Sequence, residues 1–168
     1  MIVLGIDPGT ASTGYAVVHA SGSRLAVLSH GVIQTRSGTP TERRLAHIHA
    51  GVGELLDLHR PAALAIEEVY FGVNARTAFA VGQARGVVLL AAGERQVPTR
   101  SYTPQQVKSA VCGHGGAGKQ QVGEMAARLL ALPAPPAADH AADAMAVAIC
   151  ELNRAPLERA LTVAGARA

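Results

Sequence analysis

The sequence predicts a single α/β domain built on a mixed β-sheet that is flanked by helices. The 168 residues fall within the size of one domain, which is about 100–200 residues. Three apolar runs with short links come first, and this pattern is typical of an antiparallel meander. Apolar runs then alternate with segments of helical periodicity, as in α/β proteins with parallel strands.

The predicted strands begin with an apolar run that ends at an Asp-Pro-Gly turn. Five strands are predicted, over residues 2–6, 14–19, 25–34, 62–66 and 97–101. Helices are predicted where apolar residues recur every three or four positions. They cover a segment from Thr41 up to Pro61, residues 75–92, a segment that opens at Pro104, and residues 120–132 and 139–152.

Thr41 is expected as the N-cap of the first helix, and Pro104 is expected at the first position of the third. We predict a folded domain over residues 1–154 and a loosely held, flexible tail over residues 155–168.

Composition excludes several other classes of protein. Hydrophobic residues make up 49% of the chain and charged residues 16%, whereas disordered chains are poorly hydrophobic and highly charged. No apolar stretch approaches the roughly 20 residues of a membrane span, and no signal-peptide pattern opens the sequence. Cys112 and Cys150 have no metal-ligand spacing and are expected to be buried free thiols. A cytoplasmic protein with no membrane association is predicted.

The twelve acidic residues separate into two groups. Seven are expected on helix faces or ends among polar neighbours: Glu42, Glu54, Asp57, Glu94, Glu124, Glu151 and Glu158. The other five follow apolar strands or open an apolar helix: Asp7, Glu67, Glu68, Asp139 and Asp143. An ionised carboxylate in such a place costs free energy unless it is paired or binds a cation.

Several of these five acids have simpler interpretations. Asp7 precedes Pro-Gly and could form an Asx turn. One of Glu67 and Glu68 is expected to face solvent, because neighbouring strand residues point to opposite faces. Asp139 is well placed as the N-cap of the last helix.

The combination of these acids with one histidine favours a metal site. Asp139, His140 and Asp143 can share one helix face, since they are three and four residues apart. Carboxylates with one imidazole suit Mg²⁺ or Mn²⁺. Two such ions about 4 Å apart can activate water and stabilise the leaving oxygen of a phosphodiester.

Four stretches carry a resemblance to a known family. They read LGIDPGTASTGYAVV, LAIEEVYFGVNARTAFAVGQARGVVLLAA, YTPQQVKSAVCGHGGAGKQQV and HAADAMAVAI. From Met1 to about Leu152 the chain resembles the RuvC family of bacterial Holliday junction resolvases. The resemblance implies an RNase H-like fold with a five-stranded mixed sheet. It also implies a homodimer that nicks two opposing strands of four-way junction DNA during recombination and repair, leaving 5′-phosphate and 3′-hydroxyl ends, and that works with the RuvA-RuvB branch-migration complex.

The resemblance further implies a catalytic site. Asp7, Glu67, His140 and Asp143 match the catalytic metal ligands of the family, which would hold two Mg²⁺ or Mn²⁺ ions, with Glu68 outside the ligand set. The most familiar members carry Asp where this chain has His140, and other members carry His, so the choice of metal stays open. Asp139 is either an auxiliary acid of the site or only a helix cap.

Several residues are expected to bind DNA. Tyr70 matches a family aromatic that contacts bases, and the adjacent Phe71 adds to it, although two core aromatics would read similarly. Lys108 and Lys119, the only lysines, match family lysines that serve DNA binding or catalysis. Arg76 belongs to the basic residues around the acid-bearing segments. The segment 74–92 resembles the helix of the dimer interface, and a core helix would read similarly.

Three other functions stay open at this point. Asp7-Pro8-Gly9-Thr10 also resembles the phosphate-binding turn of the sugar kinase and actin superfamily, which needs two domains to close on ATP. A nuclease of the same fold could act on another structured nucleic acid such as RNA. A non-catalytic junction-binding protein could retain the fold, although strand-end carboxylates without a function cost stability.

Overall fold

Five strands and five helices make up the part of the chain that the computed structural model describes. This part is the backbone of residues 1–68 and 75–165, with the side chains of residues 1–68 and 77–154. The strands are β1 (Ile2–Asp7), β2 (Ser12–Ser21), β3 (Arg24–Gln34), β4 (Ala63–Glu67) and β5 (Thr99–Tyr102). The helices are α1 (Thr41–His59), α2 (Ala75–Glu94), α3 (Pro104–Cys112), α4 (Lys119–Leu129) and α5 (Asp139–Gly165).

The strands form one mixed sheet in the order β3-β2-β1-β4-β5. The β1–β2 and β2–β3 pairs are antiparallel, and the β1–β4 and β4–β5 pairs are parallel. As a result β1, β3, β4 and β5 all end at one edge of the sheet, which we call the carboxyl edge. The predicted α/β class and the five-stranded mixed sheet are therefore confirmed.

Two hydrophobic cores cover the two faces of the sheet. The first packs α1 and α2 against alternate strand residues, including Leu4 and Ile6 of β1. The second packs α3, α4 and α5 against the opposite set, including Val3 of β1. Because side chains alternate along a strand, Asp7 follows Ile6 and faces the side of the sheet that carries α5.

Several predicted element boundaries are wrong, by one residue at the start of α1 and by thirteen at the end of α5. The N-cap of α1 is Pro40, which makes no side-chain capping hydrogen bond, and Thr41 is the first helical residue. Helix α4 ends at Leu129, before the predicted residue 132. Helix α5 continues to Gly165, beyond the predicted residue 152, because residues 157–161 (LERAL) are good helix formers.

The start of α3 follows the prediction closely. Pro104 is the first helical residue and Thr103 is the N-cap. The Thr103 hydroxyl accepts a hydrogen bond from the Gln106 amide at 3.2 Å, and the Gln106 side chain accepts one from the Thr103 amide at 2.9 Å. This reciprocal pair is a capping box, which satisfies two amide groups at the helix end.

One acid that the sequence places on a polar helix face lies in the core. Glu151 of α5 is only 1% exposed, and it accepts a hydrogen bond from the Tyr102 hydroxyl. The guanidinium of Arg100 lies 3.9 Å from the Glu151 carboxylate. The prediction failed because the partners of Glu151 come from β5, about fifty residues earlier.

The remaining predictions from composition were buried free thiols and the absence of a membrane span. Cys112 and Cys150 are both free; Cys150 is buried as predicted, whereas Cys112 is only partly buried. Among the helices of the described residues, none is long and apolar enough to cross a membrane.

Candidate active site

Two carboxylates meet at the carboxyl edge because their strands are parallel and in register. Ile6 of β1 pairs with Ile66 of β4, so the residues that follow, Asp7 and Glu67, are neighbours across the two strand ends. Glu68 follows on the alternate side, and its amide donates a hydrogen bond to the Tyr102 carbonyl. Glu67 is partly buried and Glu68 is exposed, as expected if one of the two neighbouring residues faces solvent.

Helix α5 can lie directly on the sheet because two strand positions have no side chain. A Cβ built on Gly5 would stand 2.8 Å from the Ala148 amide nitrogen, and one built on Gly14 would stand 2.9 Å from the His140 Cβ. Both distances are too short for a real Cβ, so any larger residue would lift the helix. Gly5 and Gly14 thus bring the first turns of α5 close to Asp7.

Three potential metal ligands converge as a result. His140 Nδ1 lies 2.6 Å from Asp7 Oδ2, and ligand atoms of Asp7, His140 and Asp143 all lie within 4.8 Å of one another. Asp7 comes from the end of β1, whereas His140 and Asp143 come from successive turns of α5. Of the two strand-end acids predicted to join the His-x-x-Asp face of the last helix, the structure brings Asp7 into this group. Glu67 lies at the neighbouring strand end and is not one of the three converging ligands.

A lysine pairs with the acids of α5. Lys119 Nζ lies 3.2 Å from Asp143 Oδ2 and 3.3 Å from Asp139 Oδ2. Burial lowers the pKa of Lys119, but the hydrogen bonds and charges of these aspartates outweigh it, so the pKa is raised overall. Asp139 is not the N-cap of α5, because it is the first helical residue and the Ala138 carbonyl accepts the first helical hydrogen bonds. The Asp139 side chain is 77% exposed.

Asp7 and Glu67 are partly shielded from water at the two strand ends, and their negative charges repel each other. Burial raises the pKa of Asp7, and the hydrogen bond and charge of His140 only partly offset it. Burial, followed by the charges of Asp7 and Asp143, raises the pKa of Glu67 to about 7. A cation bound beside these carboxyl groups would favour their ionised forms, and groups with pKa values shifted in this way are candidates for functional sites.

A cavity of about 230 Å³ adjoins the cluster. Two acids, Glu67 and Asp143, and two lysines, Lys108 and Lys119, are among the residues that line it. Both predicted DNA-binding lysines therefore lie beside the predicted metal ligands. Carboxylates that can hold divalent ions, next to ammonium groups that can contact phosphates, suit metal-dependent hydrolysis of a phosphodiester.

The other predicted site residues cannot be placed. Tyr70 and Phe71 lie outside the described residues, and so does the side chain of Arg76. Sequence reasoning also missed Thr13, which is fully buried and donates a hydrogen bond from its hydroxyl to the Gly9 carbonyl at 2.7 Å. This bond closes the turn directly after Asp7, and a short polar side chain at a strand start gives no distinct sequence signal.

The fold and the site together define the class of protein. A five-stranded mixed sheet with acids at the ends of two parallel central strands, completed by a helix with a histidine and an aspartate, is an RNase H-like nuclease domain with a candidate metal site. The family model described as "Crossover junction endodeoxyribonuclease RuvC" matches residues 3–151. The chain belongs to this family.

Relatives support the assignment over nearly the full length. The crossover junction endodeoxyribonuclease RuvC of Pelotomaculum thermopropionicum is 48% identical over 161 residues, which cover 96% of this chain and 98% of the relative. The structure of Thermus thermophilus RuvC is 40% identical with a TM-score of 0.89, covering 94% of this chain and 97% of that one. A second structure, of T. thermophilus RuvC in complex with a Holliday junction substrate, has a TM-score of 0.90 at 40% identity, covering 94% and 96%.

Family membership decides among the functions left open by the sequence. The chain is a crossover junction endodeoxyribonuclease, the enzyme that resolves Holliday junctions. The resemblance found from the motifs is therefore confirmed. The kinase and actin interpretation, the nuclease with another target and the non-catalytic binding protein are set aside.

Proposed function

We propose that the chain resolves Holliday junctions by metal-dependent hydrolysis, with Asp7, Glu67, His140 and Asp143 as the catalytic metal ligands. The observation that carries this proposal is the convergence of the Asp7, His140 and Asp143 ligand atoms within 4.8 Å. Glu67 completes the set, because it is the strand neighbour of Asp7 and its pKa responds to the charges of Asp7 and Asp143.

The donor set fits Mg²⁺ or Mn²⁺. Octahedral Mg²⁺ with bonds of 2.0–2.1 Å places neighbouring ligand atoms about 3 Å apart, and Asp7 Oδ2 and His140 Nδ1 are 2.6 Å apart. Three carboxylates and one imidazole favour a hard ion, and Mn²⁺ accepts the imidazole more readily. When bound, two such ions supply an activated water and stabilise the leaving oxygen.

The chain's own groups carry out the rest of the reaction. His140 would hold an ion through Nδ1, the ring nitrogen that faces Asp7, and its ring would also help to orient the attacking water. The water oxygen attacks the phosphorus in line as the bond from phosphorus to the 3′-oxygen breaks. The water gives up a proton and the 3′-oxygen takes one up from solvent, which yields 5′-phosphate and 3′-hydroxyl ends. Lys119 pairs with Asp143; ions held by Asp143 would take over this pairing and would leave the Lys119 ammonium available to contact the phosphate. Asp139 helps to hold Lys119 and acts as an auxiliary acid rather than as a ligand.

Junction binding is proposed to use residues around the same edge. Lys108 and Lys119 face the cavity beside the acids and are suited to bind phosphates as compact charges. Tyr70, Phe71 and Arg76 follow Glu67 closely in the sequence, so bases stack on the two rings next to the cleavage site. Stacking of this kind contributes about 1–3 kcal/mol per base.

The active form is proposed to be a homodimer through α2. Helix α2 leaves Phe79 68% exposed and Leu90 55% exposed. On the same helix, Cβ atoms built on Gly82 and Gly86 would meet nothing within 4 Å. An exposed apolar helix face with small residues allows a second helix to approach closely, and two active sites would then nick two opposing strands.

The remaining proposals concern cellular context and chain organisation. The enzyme acts in the cytoplasm on four-way junctions that a RuvA-RuvB branch-migration complex delivers. Residues 1–154 form the nuclease domain, and residues 155–168 lie outside it as a C-terminal tail.

A substrate panel tests the proposed function. Labelled four-way junctions, duplexes, replication forks and structured RNAs are incubated with the protein while Mg²⁺, Mn²⁺ and a chelator are varied. We expect paired nicks in junction strands only, with Mg²⁺ or Mn²⁺, and ends that ligase can seal. Cleavage with chelator present, or equal cleavage of duplex or RNA, would contradict the proposal.

A further inference from the structure

Three arginines lie at the carboxyl edge on the side of the sheet opposite α5. We call Arg36, Arg43 and Arg44 the Arg44 patch. Arg36 lies in the connection that leaves β3, and Arg43 and Arg44 lie in the first turn of α1. Arg36 and Arg43 are exposed and Arg44 is partly buried. Since β3 ends at the same edge as β1, the patch and Asp7 share that edge.

The turn that follows Asp7 is tied to the end of β3. The Thr35 hydroxyl donates a hydrogen bond to the Thr10 carbonyl at 2.6 Å, and the Thr35 amide donates one to the Ala11 carbonyl at 3.0 Å. Thr35 thus holds the outer half of the turn, as Thr13 holds its start. The backbone beside Asp7 is therefore connected directly to the segment that carries the Arg44 patch.

Within residues 1–68 and 77–154, whose side chains the structure describes, the Arg44 guanidinium is anchored through one nitrogen. Its Nε donates a hydrogen bond to the Thr35 hydroxyl at 2.8 Å. In the part of the chain that the structure describes, no carboxylate forms an ion pair with Arg44. Its two terminal amino groups are thus held in a fixed direction without an acidic partner. An arginine oriented in this way can bind a phosphate with two parallel hydrogen bonds.

The surrounding charge also favours a polyanion. No acidic residue occurs in the sequence between Asp7 and Glu42. The three basic residues of the patch therefore have only Glu42 as an acidic neighbour in their own segment. A local surplus of positive charge next to a site that cleaves phosphodiesters raises the local concentration of nucleic acid.

We propose that the Arg44 patch binds the phosphate backbone of junction DNA on the α1 side of Asp7, with Arg44 as its central contact. This inference rests on the proposed function. Lys108 and Lys119 lie on the α5 side, so the DNA strand would be held on both sides of the catalytic edge. Arg44 contacts the phosphate with its terminal amino groups while its Nε remains hydrogen-bonded to the Thr35 hydroxyl. Because Thr35 also binds the Thr10 carbonyl, phosphate binding is connected to the turn beside Asp7.

Equilibrium binding of a labelled four-way junction over a series of salt concentrations, in metal-free buffer, tests this proposal. Four variants are compared with the wild type: Arg44→Ala, Arg44→Lys, Thr35→Val and Arg24→Ala. Thr35→Val removes the anchor without removing charge. Arg24→Ala removes an exposed arginine from the opposite edge of the sheet, at the start of β3.

We expect Arg44→Ala to weaken binding about 10-fold and to reduce the slope of log affinity against log salt by about 0.9, the value for one phosphate contact. Arg44→Lys should retain the slope while binding more weakly than wild type, because ammonium lacks the two-pronged geometry. Thr35→Val should keep the wild-type slope, and Arg24→Ala should change neither quantity.

A wild-type slope for Arg44→Ala, or an equal loss of slope for Arg24→Ala, would overturn this inference while leaving the proposed function intact. The same holds if Arg44→Ala and Thr35→Val behave identically, since Arg44 would then act only through the turn. If the wild type bound no junction at all, the proposed function would fail and this inference with it.

Discussion

Gly14 of β2 lies directly beneath His140 of α5. A Cβ at position 14 would stand 2.9 Å from the His140 Cβ and would also clash with the His140 carbonyl oxygen. Gly14 is also the residue that pairs with Asp7 across β1 and β2. The same glycine therefore sets how far His140 stands above Asp7, and the metal-ligand geometry depends on a residue that cannot itself bind metal.

Replacing Gly14 with alanine should damage the site through this contact. The added methyl group lifts the first turn of α5, so we expect Gly14→Ala to cost about 1–3 kcal/mol in the free energy of unfolding and to reduce cleavage strongly. Gly123→Ala is the matched control, because a Cβ there has its nearest neighbour 4.0 Å away. It should be neutral or stabilising by up to about 1 kcal/mol. Chemical unfolding and junction cleavage measure both effects, and a fully active Gly14→Ala would show that the packing is not required.

The raised pKa of Glu67 predicts a pH-dependent cost of stability without metal. The folded pKa is about 7 against an ordinary 4.5, so the folded protein binds this proton more tightly than the unfolded chain. The stability from the protonated carboxyl is present below about pH 4.5 and is lost as the pH rises through 7.

Glu67→Gln should remove that loss. In chelator at about pH 8 we expect the variant to be more stable than wild type by about 1–2 kcal/mol, allowing for solvent screening of a partly exposed group. At about pH 4 the two should be equal. Urea unfolding at both pH values makes the measurement, with Glu54→Gln, an exposed acid of α1, as the control. A stability difference independent of pH would refute the electrostatic explanation.

Removing the Lys119 side chain should have opposite effects on metal affinity and on junction cleavage. Its ammonium lies 3.2 Å from Asp143 and competes with a divalent ion for that carboxylate. Lys119→Ala should therefore tighten Mn²⁺ binding about 5-fold, since one charge near 4 Å contributes about 1 kcal/mol in a solvated setting, while lowering junction cleavage. Calorimetric titration of Mn²⁺ tests the affinity. Weaker binding of Mn²⁺ by Lys119→Ala would contradict this account. Lys108→Ala is the control and should change the Mn²⁺ affinity less, because among the described residues the aspartate ion pairs are made by Lys119.

The buried carboxylate of Glu151 accepts a hydrogen bond from the Tyr102 hydroxyl, and this bond should contribute to the stability of the fold. Tyr102→Phe removes the hydroxyl that donates to the Glu151 carboxylate, and a buried carboxylate that loses a hydrogen bond costs about 1–3 kcal/mol. We expect a lower unfolding midpoint with little change in cleavage. Tyr15→Phe is the control, because the Tyr15 hydroxyl donates no hydrogen bond to any described residue. Equal stability of Tyr102→Phe and wild type would mean that Glu151 is satisfied by Arg100 alone.

Sequence patterns predicted the parts of the site that local rules govern. Asp7 and Glu67 were recognisable because each follows an apolar strand, and parallel strands bring such ends together. His140 and Asp143 were recognisable because residues three apart share a helix face. These features depend on neighbours in sequence and on the polarity of strands, and both can be read directly from the residues.

Tertiary contacts governed what the sequence did not predict. Lys119 pairs with Asp139 because α4 starts beside α5, so the sequence alone left Asp139 as either an auxiliary acid or a helix cap. Glu151 has polar neighbours in sequence, yet it is buried by a strand about fifty residues away. No local pattern reports a partner at that separation, and the same is true of the Thr35 contact with Arg44 and the turn after Asp7.

Cleavage of a labelled four-way junction by Asp7→Asn tests the central claim most directly. Asp57→Asn, an exposed acid on α1, is the matched control, and junction binding is measured in parallel with Mg²⁺ or Mn²⁺ present. The account predicts that Asp7→Asn binds the junction as the wild type does but makes no nicks, whereas Asp57→Asn binds and cleaves normally. Nicking of the junction by Asp7→Asn at a rate near that of the wild type would contradict the assignment of Asp7 as a catalytic metal ligand.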